Sequence, residues 1–459
     1  MVSAPQHSPH GGTQMKLADA LKRAQAHFAK GEFDQAERFA AAILARHPKH
    51  AQAVQVAAGV LEKRGQREAA VTLLRGSLTG QPSDALALMN LCRLLRVLGR
   101  LDEARAAGER AVALGALPEA LVDLADTLGA LGEFAGERAL LERAVAKRPA
   151  LARAHLGLAQ ALLADGEFAP GWMEYEWRYK LPSTQDVLPK FKQPQWNGMR
   201  LTDSKLLIVA EQGYGDCFQF GRYLPLVSER AKHVFLGVGP EIAPVLKTVG
   251  GNFVCHERWE HIPPFDYQIT LSSLPLVFGT TVETIPAKVP YLYADAAKAA
   301  VWRAKLSAAS GGRRTVGFVW QGRPSHPNDR IRSVPLGHLS RLIEHDGVLP
   351  VSLQVGAGRE QLAQHPLKAR VFDAAEGLKD FSDTAALISA LDCVVTIDSA
   401  IAHLTGALGR PGFVMLPKVA EWRWMRERGD SPWYPTLQLV RQGPDARWDG
   451  VVRHIVERL

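Results

Sequence analysis

The stretch DCVVTIDSAIAHLTGALGRP, residues 392–411, has the pattern of a buried strand followed directly by a helix. Its β-branched run at 393–397 predicts a parallel strand. Ser399 stands where the helix should begin, and Gly409 stands where it should end. A helix N-terminus at the carboxyl edge of a sheet presents unpaired N–H groups that suit an anion. The pattern alone fits two interpretations, a packed strand–helix unit and an anion-binding turn.

The totals describe a soluble globular protein of two or three domains, because 459 residues exceed one ordinary core. The net charge of +8 is spread without a basic block, which fits anionic ligands and does not require nucleic acid. The chain has no run of 18 apolar residues, so we expect no membrane span.

The cysteines and the first residues bear on the compartment. Cys92, Cys217, Cys255 and Cys393 stand far apart and form no CxxC pair. This spacing argues against a disulfide framework or a zinc site and favours a reducing compartment, so we expect a cytoplasmic protein. Residues 1–14 lack the apolar core of a secretion signal, and we expect them to form a disordered tail.

Five glycines recur along the first third of the chain at intervals of 34, 34, 33 and 34 residues: Gly31, Gly65, Gly99, Gly132 and Gly166. Around each glycine the sequence predicts helix, turn and helix, with a small residue seven positions earlier. The pattern resembles tetratricopeptide repeats. We expect an α-helical solenoid over residues 15–180, with a concave groove for a peptide or protein. The alternative is a structural spacer or a dimerisation arm.

Two features of the repeats are candidates for contacts. Asn90, Arg93 and Arg96 lie at helical spacing and predict either a lining of the acceptor groove or a solvated helix face. The aromatic residues at 168–179 predict packing of the last repeat against the domain that follows. Residues 181–200, which contain three prolines, predict an extended linker.

From residue 201 onward, strands and helices alternate in two blocks, which predict two Rossmann-like domains facing each other across a cleft. The first block spans 201–310 and the second spans 311–459. The predicted strands are 206–210, 234–238, 267–271, 288–293, 315–320, 349–353, 371–373, 393–397 and 412–416. We expect a final helix at 448–459 to pack back on the first block.

The motif VVTIDSAIAHLTGALGRP resembles the nucleotide-sugar signature of heptosyltransferases and related family-9 glycosyltransferases. The phrases GWMEYEWRYK, EQGYGDCFQFGRYLP, VGFVWQG, DRIRSVPL and SPWYPT are similar to a bacterial group in which tetratricopeptide repeats precede such a domain. The resemblance implies a GT-B fold and a nucleotide sugar as co-substrate, with no other cofactor. The layout also resembles O-GlcNAc transferases and some flagellin glycosyltransferases, which implies a protein acceptor, flagellin among the candidates.

The donor-binding candidates that the resemblance implies are Gln212, Gly213, Gly215, Gln321, Arg330, Arg332, Gln354, Asp398, Ser399, Ala400 and His403. The last four lie at the expected diphosphate turn. Arg330 and Arg332 stand near the family's phosphate-binding Lys, which this chain lacks. For Gln321 and Gln354, contact with the nucleotide and ordinary loop polarity are both open.

Asp216 matches the position of the family's presumed catalytic base, and Glu211 is its rival. An inverting transfer needs one carboxylate to deprotonate the acceptor hydroxyl. The alternative role for Asp216 is a helix cap. No DxD motif is present, and we expect no metal. The aromatic loop around Trp422, Arg423 and Trp424 predicts either packing of the domains or a cover for the donor.

The prediction is therefore a cytoplasmic, inverting, metal-independent glycosyltransferase whose repeats recruit a protein acceptor. Two alternatives stay open. One is a non-catalytic adaptor with a vestigial transferase domain, and the other is a lipopolysaccharide or small-molecule glycosyltransferase.

Overall fold

The computed structural model describes residues 16–115, 117–185 and 190–459, and the predicted tail at 1–14 lies outside them. The chain divides into two units, Met1–Gly157 and Leu158–Leu459. Within the described residues, no helix is both long enough and apolar enough to cross a membrane.

In the described part of the repeats, ten helices are joined by short turns, as the glycine spacing predicts. They are α1 (Leu17–Ala29), α2 (Phe33–Leu44), α3 (Ala51–Lys63), α4 (Arg67–Leu78), α5 (Ala85–Val97), α6 (Leu101–Ala113), α7 (Pro118–Leu131), α8 (Phe134–Lys147), α9 (Ala152–Ala164) and α10 (Phe168–Tyr175). The five recurring glycines all adopt a left-handed backbone, with φ between +77° and +85°, which only glycine adopts without strain. Small residues such as Ala24, Ala58 and Cys92 are buried, so paired helices approach closely.

The end of the last repeat belongs to the second unit. Phe168 and Trp172 are buried there, with ring centroids 5.9 Å from Trp433 and 5.5 Å from Trp422 respectively. The predicted packing role of this aromatic helix is therefore seen in the structure. In the part of the predicted linker that is described, Trp196 is buried and its backbone N–H donates to the carbonyl of Gln268 at 2.8 Å.

The first α/β half is a four-stranded parallel sheet with its helices, in the order β3-β2-β1-β4. Its strands are β1 (Leu201–Val209), β2 (Ala231–Gly237), β3 (Val254–His256) and β4 (Tyr267–Thr270). Its helices, with one that precedes it, are α11 (Pro182–Gln185), α12 (Tyr214–Gly221), α13 (Leu224–Ser228), α14 (Ala243–Leu246) and α15 (Leu274–Val277).

The prediction of a strand at 288–293 is wrong. This segment instead runs beside the helix at Ala400–Ala407, where the N–H groups of Tyr291 and Leu292 donate to the carbonyl of Ala407 at 3.0 and 3.3 Å. Pro290 has no N–H to contribute to a sheet ladder, which disfavours a strand here. The short β3 was not predicted.

The second α/β half is a six-stranded parallel sheet with its helices, in the order β10-β9-β8-β5-β6-β7. Its strands are β5 (Arg314–Phe318), β6 (Val348–Ser352), β7 (Phe372–Asp373), β8 (Cys393–Ile397), β9 (Gly412–Leu416) and β10 (Leu437–Arg441). Its helices are α16 (Ala296–Ser310), α17 (Asp329–Arg332), α18 (Ser340–Glu344), α19 (Arg359–Gln364), α20 (Phe381–Ala390), α21 (Ala400–Ala407) and α22 (Trp448–Val456).

The final helix does not pack on the first α/β half, so that prediction is wrong. The apolar face of α22, which includes Trp448, Val451 and Ile455, lies in the core of the second half with Val316 and Leu342. The spacing of these residues gives one apolar stripe, and the sheet of its own half covers that stripe.

The predicted fold class is confirmed in its architecture: α-helical repeats come first, and two parallel-sheet α/β halves follow. Strand β8 and helix α21 match the strand and helix predicted at residues 392–411. Strand β10 was not predicted, because its alternating sequence follows a loop rich in aromatic residues.

Candidate functional site

The turn between β8 and α21 is capped as its sequence predicts. Ser399 is the N-cap of α21, and the N–H of Ile401 donates to its Oγ at 3.3 Å. Gly409 closes the helix with a φ of +65°. The first N–H groups of α21 therefore lie at the carboxyl edge of the six-stranded sheet, beside Asp398 and Ala400.

Of the two candidate arginines, Arg332 contacts this turn. Its Nη1 donates to the carbonyl of Asp398 at 3.1 Å, and its Nε lies 3.6 Å from Asp329 Oδ1. Arg330 is exposed on the same short helix. The structure thus places one guanidinium directly at the carboxyl end of β8, which suits a phosphate group.

His403 is buried on the first turns of α21. Its Nδ1 lies 3.0 Å from the hydroxyl of Tyr434, and its ring stacks on Trp424 with centroids 5.1 Å apart. Burial, with smaller effects from Arg423 and Arg222, holds the pKa of His403 well below its ordinary value. The imidazole is therefore neutral near pH 7 and offers at most one N–H donor.

The N-terminus of α12 in the first half meets α21 of the second half. A Cβ on Gly215 would stand 2.7 Å from His403 Cδ2 and 3.5 Å from the Cα of Ala400, so only glycine fits without displacement. Gly213 is the N-cap of α12. Two helix N-termini from different halves are thereby brought side by side.

Asp216 makes two contacts, one within its own helix and one with the second half. Its Oδ2 accepts from the N–H of Gly213 at 2.9 Å, which is a capping interaction. Its Oδ1 forms an ion pair with Nη2 of Arg423 from the second half. The carboxylate therefore caps a helix and also faces the second half.

Arg423 is the residue that joins the charged groups here. It is 9% exposed, Nη1 pairs with Glu421 Oε1, and its backbone N–H donates to Glu421 Oε2 at 2.9 Å. One guanidinium thus binds a carboxylate from each half. We call Asp216, Arg332, Asp398, Glu421 and Arg423 the candidate site.

Glu421 has a perturbed acidity. Burial raises its pKa to about 7, Arg423 opposes this effect, and the negative charges of Asp398 and Asp216 add to it. Its side chain is still 25% exposed. A carboxylate that titrates near neutral pH and can be reached from solvent is suited to general base catalysis.

The rival base Glu211 lies in another network. Its Oε1 accepts from the hydroxyl groups of Ser272 and of Tyr179, the latter at 3.2 Å, and lies 3.6 Å from Arg178 Nη2. Its side chain is 5% exposed. Gln212, next to it, also bonds within this network, and the structure does not bring Glu211 to Arg423.

Gln354 and Gln321 hold a loop of the second half. Oε1 of Gln354 accepts from the N–H groups of Trp320 and Gln321 at 3.2 and 3.1 Å. Its Nε2 donates to the carbonyls of Gln321 and Ala357 at 3.0 and 2.7 Å. Gln361 in turn donates to Gln321 Oε1 at 2.8 Å. This geometry favours the loop-polarity alternative for Gln354, whose amide is engaged within the protein.

The polar ladder on α5 is partly buried and paired with neighbouring repeats. Asn90 bonds with Gln55, Arg93 Nη2 donates to Glu62 Oε2 at 2.7 Å, and Arg96 lies 3.3 Å from Asp126. These side chains therefore take part in contacts between repeats within the unit Met1–Gly157.

Arg423 and Glu421 were not among the site residues predicted from the sequence. The sequence EWRW does contain a signal, because two charged residues alternate with tryptophans in a loop. Charged groups among large apolar side chains are buried with them and need partners. Which partners they find depends on the approach of the first half.

Across the described ranges, no group of three or more His, Cys, Asp or Glu side chains is placed to hold a metal ion.

Comparison with known proteins first defines the class of the repeats. The family model of the tetratricopeptide repeat matches residues 56–118 and 122–169. Over nearly its whole length the chain is also similar to Protein FlbA of Caulobacter vibrioides, with 28% identity over 496 residues, 94% of this chain and 82% of that protein.

Two solved structures give partial matches. The E. coli ADP-heptose LPS heptosyltransferase II has 16% identity, covers 55% of this chain and 96% of its own, and has a TM-score of 0.40. The type IV pilus biogenesis factor PilW has 22% identity, covers 38% of this chain and 79% of its own, and has a TM-score of 0.33.

Proposed function

We propose that the protein is a glycosyltransferase that moves a sugar from a nucleotide-sugar donor to a protein acceptor held by the repeats. The observation that carries this proposal is the meeting of the N-termini of α12 and α21 beside Arg332 and Arg423. Helix N-termini and guanidinium groups are favoured partners of a diphosphate. In this proposal Asp398, Ser399, Ala400 and His403 line the donor's diphosphate site.

The reaction we propose inverts the anomeric carbon. The acceptor hydroxyl loses its proton to a carboxylate, and its oxygen bonds to the anomeric carbon. The bond between the anomeric carbon and the diphosphate oxygen breaks, and the nucleotide diphosphate leaves. Asp216 is our first candidate for the base, and Glu421 is the second, from the opposite half. Arg332 and the α21 N-terminus neutralise the leaving group, so the proposed mechanism uses no metal.

For the acceptor we propose a protein bound along the concave face of the repeats, with flagellin as the first to test. The support is the combination of a repeat array with an α/β part whose motifs resemble a nucleotide-sugar signature. We also propose a cytoplasmic location, because all four cysteines are unpaired and a reducing compartment suits them.

The donor is tested by calorimetry of the full chain with UDP-, GDP-, ADP- and CMP-sugars. We expect one of these nucleotide classes to bind. A folded protein that binds none of them would favour the adaptor with a vestigial transferase domain.

Transfer is tested by the intact mass of flagellin co-expressed with each variant. Wild type and the exposed control Asp430→Asn should add the mass of a sugar, whereas Asp216→Asn should add none. If transfer persists in Asp216→Asn and disappears in Glu421→Gln, then Glu421 is the base. Transfer by the double variant Asp216→Asn/Glu421→Gln would refute both assignments.

The role of the repeats is tested separately in the full chain with Asn90→Ala/Arg96→Ala. We expect this variant to keep donor binding and to lose modification of the protein acceptor. Unchanged modification would count against recruitment through this ladder and would favour a small-molecule or lipopolysaccharide acceptor.

A further inference from the structure

A segment that follows the last repeat glycine, residues 171–180, reaches the turn in front of α12. Tyr175 ends α10 and is 4% exposed. Its hydroxyl donates to Gln212 Oε1 at 3.1 Å. Gln212 lies between β1 and α12, four residues before Asp216. A side chain from the repeat region therefore bonds to the turn that precedes the helix of the candidate base.

This turn has a backbone conformation that needs support. Gln212 has a φ of +68°, in the left-handed region that residues other than glycine rarely adopt. Both ends of its amide are held, because Tyr175 donates to Oε1 and Nε2 donates to Ser272 Oγ at 3.0 Å. An unfavourable conformation of this kind persists only where its surroundings fix it.

Tyr175 also contacts the loop of the second half that carries Arg423. Its ring centroid lies 5.8 Å from that of Trp422, and the Arg423 guanidinium lies 4.2 Å from the centre of the same Trp422 ring. Tyr175 thus touches the turn before Asp216 and the residue next to the arginine that pairs with Asp216. These are the two sides of the ion pair between the halves.

Arg178 contacts both the carbonyl group and the ring of Tyr175. It is 5% exposed, its Nη1 donates to the carbonyl of Tyr175 at 2.9 Å, and its guanidinium lies 4.4 Å from the centre of the Tyr175 ring. Its Nη2 donates to Ser272 Oγ at 2.8 Å, the same hydroxyl that accepts from Gln212. The phenol and the amide therefore share one rigid, buried support.

We infer that Tyr175 is a positioning residue that holds the Gln212 turn and, through Trp422, the loop of Arg423 in register, so that Asp216 keeps its place between the two halves. Its catalytic meaning rests on the proposed transferase function. The repeat region would then contribute to the geometry of the reaction, in addition to binding an acceptor.

The test compares Tyr175→Phe with Tyr223→Phe in the full chain. Both variants remove one buried hydroxyl, and that of Tyr223 lies 2.8 Å from Thr280 Oγ1 within the first half. The first measurement is hydrogen–deuterium exchange of a peptide spanning residues 211–217, which needs no activity. We expect Tyr175→Phe to exchange about tenfold faster there and Tyr223→Phe to match wild type.

The second measurement is kinetic. With the donor that wild type uses, Tyr175→Phe should lower kcat about tenfold and leave the KM for the donor unchanged. Tyr223→Phe should change neither value. A loss of stability alone would affect both variants alike, and the split between kcat and KM would not appear.

The outcomes separate the two proposals. Unchanged exchange in Tyr175→Phe overturns the inference, and so does faster exchange with a kcat equal to that of wild type. If wild type binds no nucleotide sugar and transfers nothing, the proposed function fails. The exchange measurement then decides by itself whether Tyr175 holds the turn.

Discussion

Asp216 of the first α/β half and Arg423 of the second half form an ion pair whose two side chains are 17% and 10% exposed. The same guanidinium also binds Glu421, so one cation balances a carboxylate from each half. The pair links the first turn of α12 to the loop after β9. Its removal should therefore affect both the stability of Leu158–Leu459 and the candidate chemistry.

Replacing Arg423 by Met should lower the free energy of unfolding by about 3–5 kcal/mol, because the partly buried carboxylates of Asp216 and Glu421 would lose their cation. Urea unfolding followed by tryptophan fluorescence measures this change, since all ten tryptophans lie in Leu158–Leu459. The control is Arg428→Met, whose exposed pair with Asp430 should cost less than about 1 kcal/mol. Equal costs for the two variants would contradict the importance of the Arg423 pair.

Gly215→Ala should destabilise the contact between α12 and α21 by about 1–3 kcal/mol, because its Cβ would overlap the ring of His403. Gly450→Ala in α22 is the matched control. Its Cβ would have no atom within 4 Å, so it should stabilise the helix by about 0.5–1 kcal/mol. Thermal unfolding of both variants checks the prediction, and a Gly215→Ala protein as stable as wild type would refute the close contact.

Glu421 should make stability depend on pH in a defined direction. Its pKa is raised from an ordinary 4.5 to about 7, so between these values the folded chain binds a proton that the unfolded chain has lost. The stabilisation is complete below pH 4.5 and is lost as the pH rises through 7.

The variant Glu421→Gln tests this dependence, because an amide at this position carries no charge at any pH. As the pH rises from 5 to 8, the stability of the variant relative to wild type should increase by an amount on the order of 2 kcal/mol. Melting temperatures at both pH values measure it, with Glu427→Gln as the exposed control in the same loop. A difference from wild type that is the same at pH 5 and pH 8 would show that the pKa of Glu421 is not raised.

Gln354→Ala should cost about 2–4 kcal/mol, because it removes four hydrogen bonds and leaves backbone groups of Trp320, Gln321 and Ala357 without partners. Gln438→Ala on the exposed side of β10 should change stability by less than about 0.5 kcal/mol. Chemical unfolding of both variants tests this. A small loss of stability in Gln354→Ala would mean that the amide does not stabilise the loop.

Features that depend on residues close in sequence followed directly from the chain. The glycine of each repeat turn must be left-handed, and all five are. Ser399 caps α21 through a hydrogen bond to a residue two positions away. Such contacts are fixed by local backbone geometry, so their sequence patterns are specific.

Features that depend on distant residues did not follow. The segment at 288–293 resembles a strand but bonds to Ala407, more than a hundred residues later. The helix α22 has a clear apolar stripe, yet the stripe does not say which sheet will cover it. Periodicity predicts that a face is buried, and the partner is decided by packing.

The motif at residues 392–411 shows that the same distinction between local and distant contacts applies to the candidate site. The sequence by itself determined a strand and a capped helix, because both arise within about twenty residues through local hydrogen bonds. Only the tertiary structure decided that α12 would meet this helix, that Arg423 would pair with Asp216, and that Tyr175 would reach the turn between them. The reason is physical: buried charges and close backbone contacts are stable only where partners far apart in sequence come together, and the fold alone sets those distances.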